Sequence, residues 1–175
     1  GGGTIVDTTS VGIARDPLAL ARISRATGVN VVMGSGYYVP ISHPADMDER
    51  TEDSIYEEIV RDITVGVGDT GVKSGLIGEL GNWHPLSDNE IKGLRSGGRA
   101  QQTTGAPVLI HPGFRPEALA PLMDVLIGAG ADPGASNPDG HTPLQLAAAK
   151  GHTETLAALA RAGVPADTPG SSGAT

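Results

Sequence analysis

Residues 74–113 read SGLIGELGNWHPLSDNEIKGLRSGGRAQQTTGAPVLIHPG, and this stretch indicates the fold. Residues 74–80 form a short, mostly apolar run that is typical of a buried strand. Ser87 is followed three residues later by Glu90, a capping box that predicts the start of a helix. Residues 107–110 predict a second strand. Because a helical crossover allows consecutive strands to be parallel, the stretch predicts one unit of a parallel sheet.

The same alternation of strand and helix extends over residues 4–130. Strands are predicted at residues 4–9, 30–36, 74–80 and 107–110, and helices at residues 16–28, 51–63, 87–105 and 116–130. Four successive βα units predict an α/β fold built on a parallel barrel or sheet. A dinucleotide-binding sheet is the first alternative, but no Gly-x-Gly-x-x-Gly motif joins a strand to a helix here.

Two finer expectations concern the N-terminal unit. Residues 4–9 are rich in β-branched side chains and predict a buried strand. The following helix is predicted from an apolar stripe that ends at Gly28, and the stripe consists of Leu18, Ala21, Ile23 and Ala26.

Composition excludes several classes of function. The chain has 175 residues with 12 Lys and Arg against 20 Asp and Glu, a formal net charge of -8. Excess carboxylates repel phosphate backbones and anionic lipids, so we expect neither nucleic acid nor a membrane as partner. The lack of cysteine excludes disulfides, Cys-ligated metals and a thiol nucleophile, and it fits a cytoplasmic location. The Gly1–Gly3 start suggests a cut inside a longer chain.

The C-terminal part of the chain follows a different pattern. Two short helices are predicted between residues 142 and 163. The sequences LIGAG at residues 126–130 and LARAG at residues 159–163 lie 33 residues apart, which is the ankyrin period. Residues 126–167 therefore resemble an ankyrin repeat, which implies a protein partner, although about three stacked repeats are normally needed for stability. Residues 168–175 are small and polar and predict a disordered tail.

Candidate site residues lie where the predicted strands end, because catalytic groups of parallel barrels and sheets come from the carboxyl ends of strands. These residues are Asp7, Tyr37, Tyr38, Glu79 and His111. Glu79 is a carboxylate in an apolar strand, where a cation would offset the cost of burying it. If its strand neighbours that of His111, the strand ends lie about 4.8 Å apart, close enough for both side chains to share a metal ion.

Ordinary structural roles could explain the same residues. Glu79 could pair with an arginine or accept loop N–H groups, and His111 could be a solvated histidine. Tyr37 and Tyr38 could shape a substrate pocket or cover the end of the core. Two further histidines follow predicted strands and could line a pocket or face solvent: His43 and His84.

Four segments carry a resemblance to a known family. In order and spacing, residues 2–7, 30–38, 71–81 and 105–113 resemble the phosphotriesterase family of metal-dependent hydrolases, in particular the phosphotriesterase-related branch of the amidohydrolase superfamily. The resemblance covers about residues 1–132 and implies a partial (βα)8 TIM barrel with barrel strands 2 to 5. It also implies a site for two metal ions, usually zinc, at which a metal-bound hydroxide attacks an ester, a lactone or a phosphoester.

The resemblance implies roles for three residues. Glu79 matches the fourth-strand carboxylate that bridges the two metals, and His111 matches the metal-binding histidine of the fifth strand. Tyr38 matches an aromatic residue that lies against the substrate. Lys73 precedes its strand by several residues and is no substitute for the bridging group.

The chain departs from the family pattern in what it lacks. The first-strand His-x-His pair, the sixth-strand histidine and the eighth-strand aspartate have no counterpart. We therefore expect a hydrolase fragment that is inactive by itself, and the alternative is an ankyrin-repeat interaction module fused to a catalytically dead barrel fragment. The expected domains are the partial barrel, residues 1–132, and the ankyrin-like repeat, residues 133–167. Gly97 and Gly98 weaken a predicted helix by roughly 1 kcal/mol each relative to alanine, which suggests a loosened constraint on the sequence.

Overall fold

The computed structural model describes residues 2–113, 115–134 and 140–165, and the predicted tail at residues 168–175 lies outside them. Within these residues the strands are β1 Thr4–Asp7, β2 Asn30–Ser35, β3 Leu76–Gly81 and β4 Val108–His111. The helices are α1 Pro17–Thr27, α2 Glu52–Thr64, α3 Asp88–Thr104, α4 Leu119–Gly128, α5 Pro143–Lys150 and α6 Thr153–Arg161. None of the helices in this described part of the chain is long and apolar enough to cross a membrane.

The four strands form one parallel sheet in the order β1-β2-β3-β4. β1 pairs with β2, β2 with β3 and β3 with β4, and one of α1, α2 and α3 lies between each pair in the chain. In the last pair, Gly81 stands opposite His111. This is the arrangement of a partial (βα)8 barrel with about four βα units, as the sequence predicted.

The helices begin at the predicted capping residues. Asp16 caps α1, Thr51 caps α2, and Ser87 forms a capping box with Glu90 at the start of α3. Each cap satisfies backbone N–H groups that have no partner inside the helix. The last barrel helix begins later than predicted, because Pro116–Ala118 form a 3-10 turn before α4.

The core lies between β3 and the two helices α2 and α3. Ile55 and Ile59 of α2, Ile77 and Leu80 of β3 and Leu94 of α3 are at most 1% exposed. Burying an aliphatic side chain of this size contributes about 1.5–3 kcal/mol. The central strands are therefore the best-anchored part of the sheet.

Gly97 and Gly98, which the sequence suggested are a sign of loosened constraint, allow α3 to pack closely against its neighbours. A Cβ atom at Gly97 would lie 2.6 Å from Cδ1 of Leu80, and one at Gly98 would lie 2.9 Å from Cβ of Ala129. Glycine therefore lets α3 approach β3 and the end of α4 more closely than alanine would allow.

The N-terminal unit differs from expectation in the burial of its strand, whereas its helix is present as predicted. β1 is not buried: Ile5 and Val6 are 56% and 52% exposed, because β1 is the edge strand of the sheet. On α1, Leu18 and Ile23 of the expected stripe are half exposed. The helix contacts the sheet through β2, the neighbour of the edge strand, and Leu20 is among the side chains that line a cavity beside β2.

A buried ion pair ties the loop after β1 to α2. Nη1 of Arg15 lies 2.8 Å from Oδ2 of Asp62, and the side chains are only 7% and 3% exposed. The hydroxyl of Ser35 donates to the same carboxylate oxygen at 2.7 Å, and Arg15 also donates to the carbonyl oxygen of Gly34 at 3.1 Å. The network fixes the carboxyl end of β2.

α5 and α6 form a helix pair that packs on α4. Leu122 and Leu126 of α4 and Leu159 of α6 are buried. Arg161 of α6 forms an ion pair with Asp124 of α4, with an N to O distance of 3.2 Å. Because α4 also packs against α3, this helix joins the barrel units to the C-terminal helices.

Candidate functional site

Glu79 and His111 lie side by side near the carboxyl ends of β3 and β4. Oε1 of Glu79 is 3.2 Å from Nδ1 of His111. The Glu79 side chain is 25% exposed and the His111 side chain 33% exposed, so a ligand can reach the pair. The adjacency of the two strands, on which the sequence argument depended, is confirmed.

An irregular step in β3 turns Glu79 away from the helices. In a regular strand, residues 77 and 79 would face the same side. Here the register against β4 shifts between Ile77 and Leu80, and both of these side chains approach Gly97 of α3. Glu79 is thus displaced from the helix-facing side, where its charge would be buried among aliphatic groups.

Gly78 makes the irregular step possible. Its φ is 120°, a conformation that residues with a Cβ atom rarely adopt. A Cβ atom there would also lie 2.2 Å from the carbonyl oxygen of Leu109 in the neighbouring strand. Glycine is therefore required at the position immediately before the candidate ligand.

The loop after β1 supports the backbone of Glu79. The hydroxyl of Ser10 donates to the carbonyl oxygen of Glu79 at 3.2 Å, and the N–H of Glu79 donates to the carbonyl oxygen of Thr8 at 3.4 Å. Asp7, a candidate from the sequence, accepts a hydrogen bond from the N–H of Thr9 at 3.0 Å and so shapes this loop. Sequence reasoning missed Ser10, because serine is common in loops and its presence there signals no particular role.

The two neighbouring tyrosines have different surroundings. The ring of Tyr38 packs edge-on against the imidazole of His111, with 5.3 Å between centroids. Tyr37 is buried, and its hydroxyl donates to Oε2 of Glu58 at 2.8 Å and accepts from Arg50. Burial, and then the negative charge of Glu58, raise the pKa of Tyr37. Tyr37 has the structural role that the sequence left open, and Tyr38 lies beside the candidate ligands.

The two loop histidines also differ. Nε2 of His43 lies 2.8 Å from the carbonyl oxygen of Tyr38 and so holds the turn after β2. His84 is exposed and lines a cavity of about 270 Å³, which we call the end cavity. The end cavity is lined by Trp83, His84, Gly113 and Arg115.

Two buried polar side chains anchor the loops around the end cavity. Glu90, 3% exposed, accepts hydrogen bonds from the N–H of Trp83 at 2.6 Å and from the N–H and hydroxyl of Ser87 at 2.7 Å. Asn82 is fully buried and accepts from the N–H of Gly113 at 3.2 Å. The capping motif signalled Glu90, whereas no sequence pattern signalled Asn82.

In the part of the chain that the structure describes, there are two candidate metal ligands, Glu79 and His111. No group of three or more His, Asp or Glu side chains is placed there to hold a metal ion. His111 offers an imidazole nitrogen and Glu79 offers carboxylate oxygens, and zinc binds both types of donor.

Comparison with known proteins agrees with this architecture. The sequence matches the phosphotriesterase family over residues 1–142 and an ankyrin repeat over residues 139–169. It is 42% identical over 132 residues to the N-acetyltaurine hydrolase of Dictyostelium discoideum, and 42% identical over 132 residues to a phosphotriesterase-related protein of Nematostella vectensis. These alignments cover 75% of this chain but only 36% and 38% of the relatives, so the chain spans less than two fifths of their length.

A solved structure shows the same backbone arrangement. The resiniferatoxin-binding protein of Rhodobacter sphaeroides superposes with a TM-score of 0.71 at 43% sequence identity, over 77% of this chain and 37% of that protein. The segments that suggested the resemblance lie within the matched residues. The chain therefore belongs to the phosphotriesterase family, and it carries an ankyrin repeat at its C-terminal end.

Proposed function

We propose that this chain carries part of a zinc-dependent hydrolase site, in which Glu79 and His111 bind the metal and Tyr38 contacts the substrate. The observation that supports the proposal is the 3.2 Å contact between the two candidate ligands. The chain's membership of the phosphotriesterase family suggests the reaction class, hydrolysis of an ester, a lactone or a phosphoester. The name of the Dictyostelium relative adds an amide, N-acetyltaurine, to the substrates to be tested.

The geometry of the pair is compatible with a shared zinc ion. Two donors bound to one tetrahedral zinc at the usual bond lengths are about 3.4 Å apart. Oε1 of Glu79 and Nδ1 of His111 are 3.2 Å apart. Little rearrangement of these two side chains is therefore needed for both to act as ligands.

The residues around the pair have distinct tasks in this proposal. Glu79 and His111 hold and orient the metal, which when bound supplies a water nucleophile at neutral pH. Tyr38 keeps the imidazole of His111 in place through its edge-on contact and excludes water on that side. Ser10 fixes the backbone of Glu79 from the loop after β1.

Two ligands from the described residues do not complete a binuclear site. Catalytic zinc sites have three protein ligands beside the water. We therefore propose that the 175 residues alone bind metal weakly and do not turn over substrate, and that further ligands complete the site in longer members of the family.

Cobalt substitution tests the proposal, because Co²⁺ accepts the same donors and its visible absorption reports the ligands. We expect visible bands with the parent chain and their loss in Glu79→Gln and His111→Gln. The matched controls Glu57→Gln and His152→Gln, which alter other carboxylate and imidazole groups, should keep the bands. Identical spectra for all five proteins would contradict the proposal.

The alternative function is protein interaction through the ankyrin-like segment. The family match at residues 139–169 and the paired helices α5 and α6 support it, and Leu146 of α5 is 42% exposed. In this case Leu146→Asp should abolish capture of a partner while Glu79→Gln leaves it unchanged. Metal binding without partner capture would favour the hydrolase proposal.

A further inference from the structure

The cavity between α1 and β2 lies on the helix-facing side of the sheet. We call it the α1 cavity: its volume is about 210 Å³, and its lining includes Leu20, Arg25, Val31, Met33, Val72 and Lys73. Val31 is near the start of β2 and Lys73 stands just before β3, so the cavity lies toward the amino ends of these strands. Glu79 and His111 lie near the carboxyl ends of β3 and β4. The α1 cavity is therefore separate from the candidate metal site.

Hydrogen bonds hold both walls of the α1 cavity. On the helix wall, the hydroxyl of Ser24 donates to the carbonyl oxygen of Val29 at 2.8 Å, which ties the end of α1 to the turn before β2. On the loop wall, Ser74 directly follows Lys73 and is only 4% exposed. Its hydroxyl donates to the carbonyl oxygen of Gly34 in β2 at 3.1 Å. The backbones that carry the two walls are therefore fixed before a ligand binds.

The floor of the α1 cavity is apolar. Val31 and Met33 are alternate residues of β2, so both face α1, and Met33 is 3% exposed. Leu20 and Val72 add aliphatic surface from the two walls. Sites for drug-sized ligands have volumes of about 300–1,000 Å³. The α1 cavity is smaller and suits an apolar group of about one ring.

Two cations lie on opposite walls of the α1 cavity. Arg25 belongs to the last turn of α1, and Lys73 belongs to the loop before β3. Neither side chain forms an ion pair or a hydrogen bond with a residue of the described ranges, 2–113, 115–134 and 140–165. No described residue of the lining is acidic. In a chain of net charge -8, two such cations at one cavity create a local site of positive potential.

We propose that the α1 cavity binds a small phosphate monoester, with its phosphate between Arg25 and Lys73 and its apolar group against the floor. A phosphate monoester carries about 1.5–2 negative charges at pH 7, which two cations can balance. The guanidinium can hold two phosphate oxygens at once, and the ammonium adds a point charge. The carboxyl end of α1 contributes about half a negative charge, which two full positive charges outweigh. Because the cavity is separate from the candidate metal ligands, the inference does not rest on the proposed function.

Isothermal titration calorimetry of the metal-free chain tests the proposal. The probes are phenyl phosphate, inorganic phosphate and phenol, in a buffer without other polyvalent anions. We expect saturable binding of phenyl phosphate, and binding of the other two probes that is weaker by about tenfold or more, because each lacks one part of the contacts. Arg25→Ala and Lys73→Ala should each weaken binding of phenyl phosphate by about tenfold. The matched controls Arg22→Ala and Lys150→Ala remove the same charges elsewhere and should bind it like the parent.

Several outcomes would overturn the inference. These are the lack of saturable binding of phenyl phosphate, equally tight binding of phenol or of inorganic phosphate, and equal weakening by the control variants, which would reveal only a general effect of charge. His111→Gln should bind phenyl phosphate like the parent, and a loss of binding in this variant would place the ligand at the candidate metal site instead. Circular dichroism checks that each variant is folded. Arg25→Gln and Lys73→Gln, which keep most of the side-chain length, carry the same expectation if an alanine variant fails to fold.

Discussion

Glu79 and His111 approach within 3.2 Å although 32 residues separate them in the chain. Two neighbouring parallel strands create this contact, and the irregular step between Ile77 and Leu80 frees the Glu79 carboxylate from the helix-facing side of the sheet. The contact therefore depends on the pairing of β3 with β4. Variants that disturb this pairing should affect the candidate site and stability together.

Gly78→Ala should be strongly destabilising. Its φ of 120° and the 2.2 Å approach of a Cβ atom to the Leu109 carbonyl oxygen leave no room for a side chain. We expect the free energy of unfolding to fall by about 3 kcal/mol or more, measured by urea denaturation. A loss below about 1 kcal/mol would show that β3 does not require the step.

Two glycines of α3 should respond in opposite directions to alanine. A Cβ atom at Gly93 would meet nothing within 4 Å, so Gly93→Ala should stabilise the chain by about 0.5–1 kcal/mol through helix propensity. A Cβ atom at Gly97 would press on Leu80, so Gly97→Ala should destabilise it by about 1–3 kcal/mol. Stabilisation by both substitutions would contradict the close packing of α3 on Leu80 at Gly97.

Asp62→Ala should be costly because it leaves the guanidinium of Arg15 buried without its partner. We expect a loss of about 3–5 kcal/mol in the free energy of unfolding. Asp69→Ala, which removes the exposed partner of Arg61, provides the control and should have little effect. Similar losses in the two variants would mean that burial of the first pair is unimportant.

Tyr37 should make stability fall at high pH. Its pKa is raised in the folded chain by burial and by Glu58, so the folded state holds this proton more tightly than the unfolded state. The contribution of the Tyr37 proton to the free energy of unfolding is complete below the unfolded pKa of about 10, and it is lost as pH rises above that value. Tyr37→Phe should therefore show a shallower decline in unfolding free energy above pH 10 than the parent.

Tyr56→Phe is the control for this pH dependence. The Tyr56 hydroxyl contacts Thr103 in an exposed hydrogen bond, so its removal should leave the decline unchanged. Equal slopes for the parent, Tyr37→Phe and Tyr56→Phe would contradict the explanation.

Local sequence signals were sufficient to predict most of the fold. Capping residues such as Asp16 and Ser87 predicted where helices begin, and the alternation of elements predicted a parallel sheet. The contact of Glu79 with His111 followed from the order of the strands. The exposure of Leu18 on α1 could not be predicted, because periodicity shows an apolar stripe but not which neighbour covers it.

Features that depend on distant parts of the chain were not visible in the sequence. The burial of Asp62 in α2 could not be predicted, because its partner Arg15 lies 47 residues away in the chain. The irregular step at Gly78 was hidden because glycine in a strand has several possible meanings. Asn82 gave no signal because its hydrogen bond to Gly113 exists only once β3 and β4 are adjacent.

Calorimetric zinc titration of a double-mutant cycle tests the central claim most directly. The four proteins are the parent, Glu79→Gln, His111→Gln and the double variant. If the two side chains hold one metal ion, each single variant should weaken zinc binding by about tenfold or more, and the double variant should lose little further. Zinc affinity that is the same in all four proteins would contradict the account.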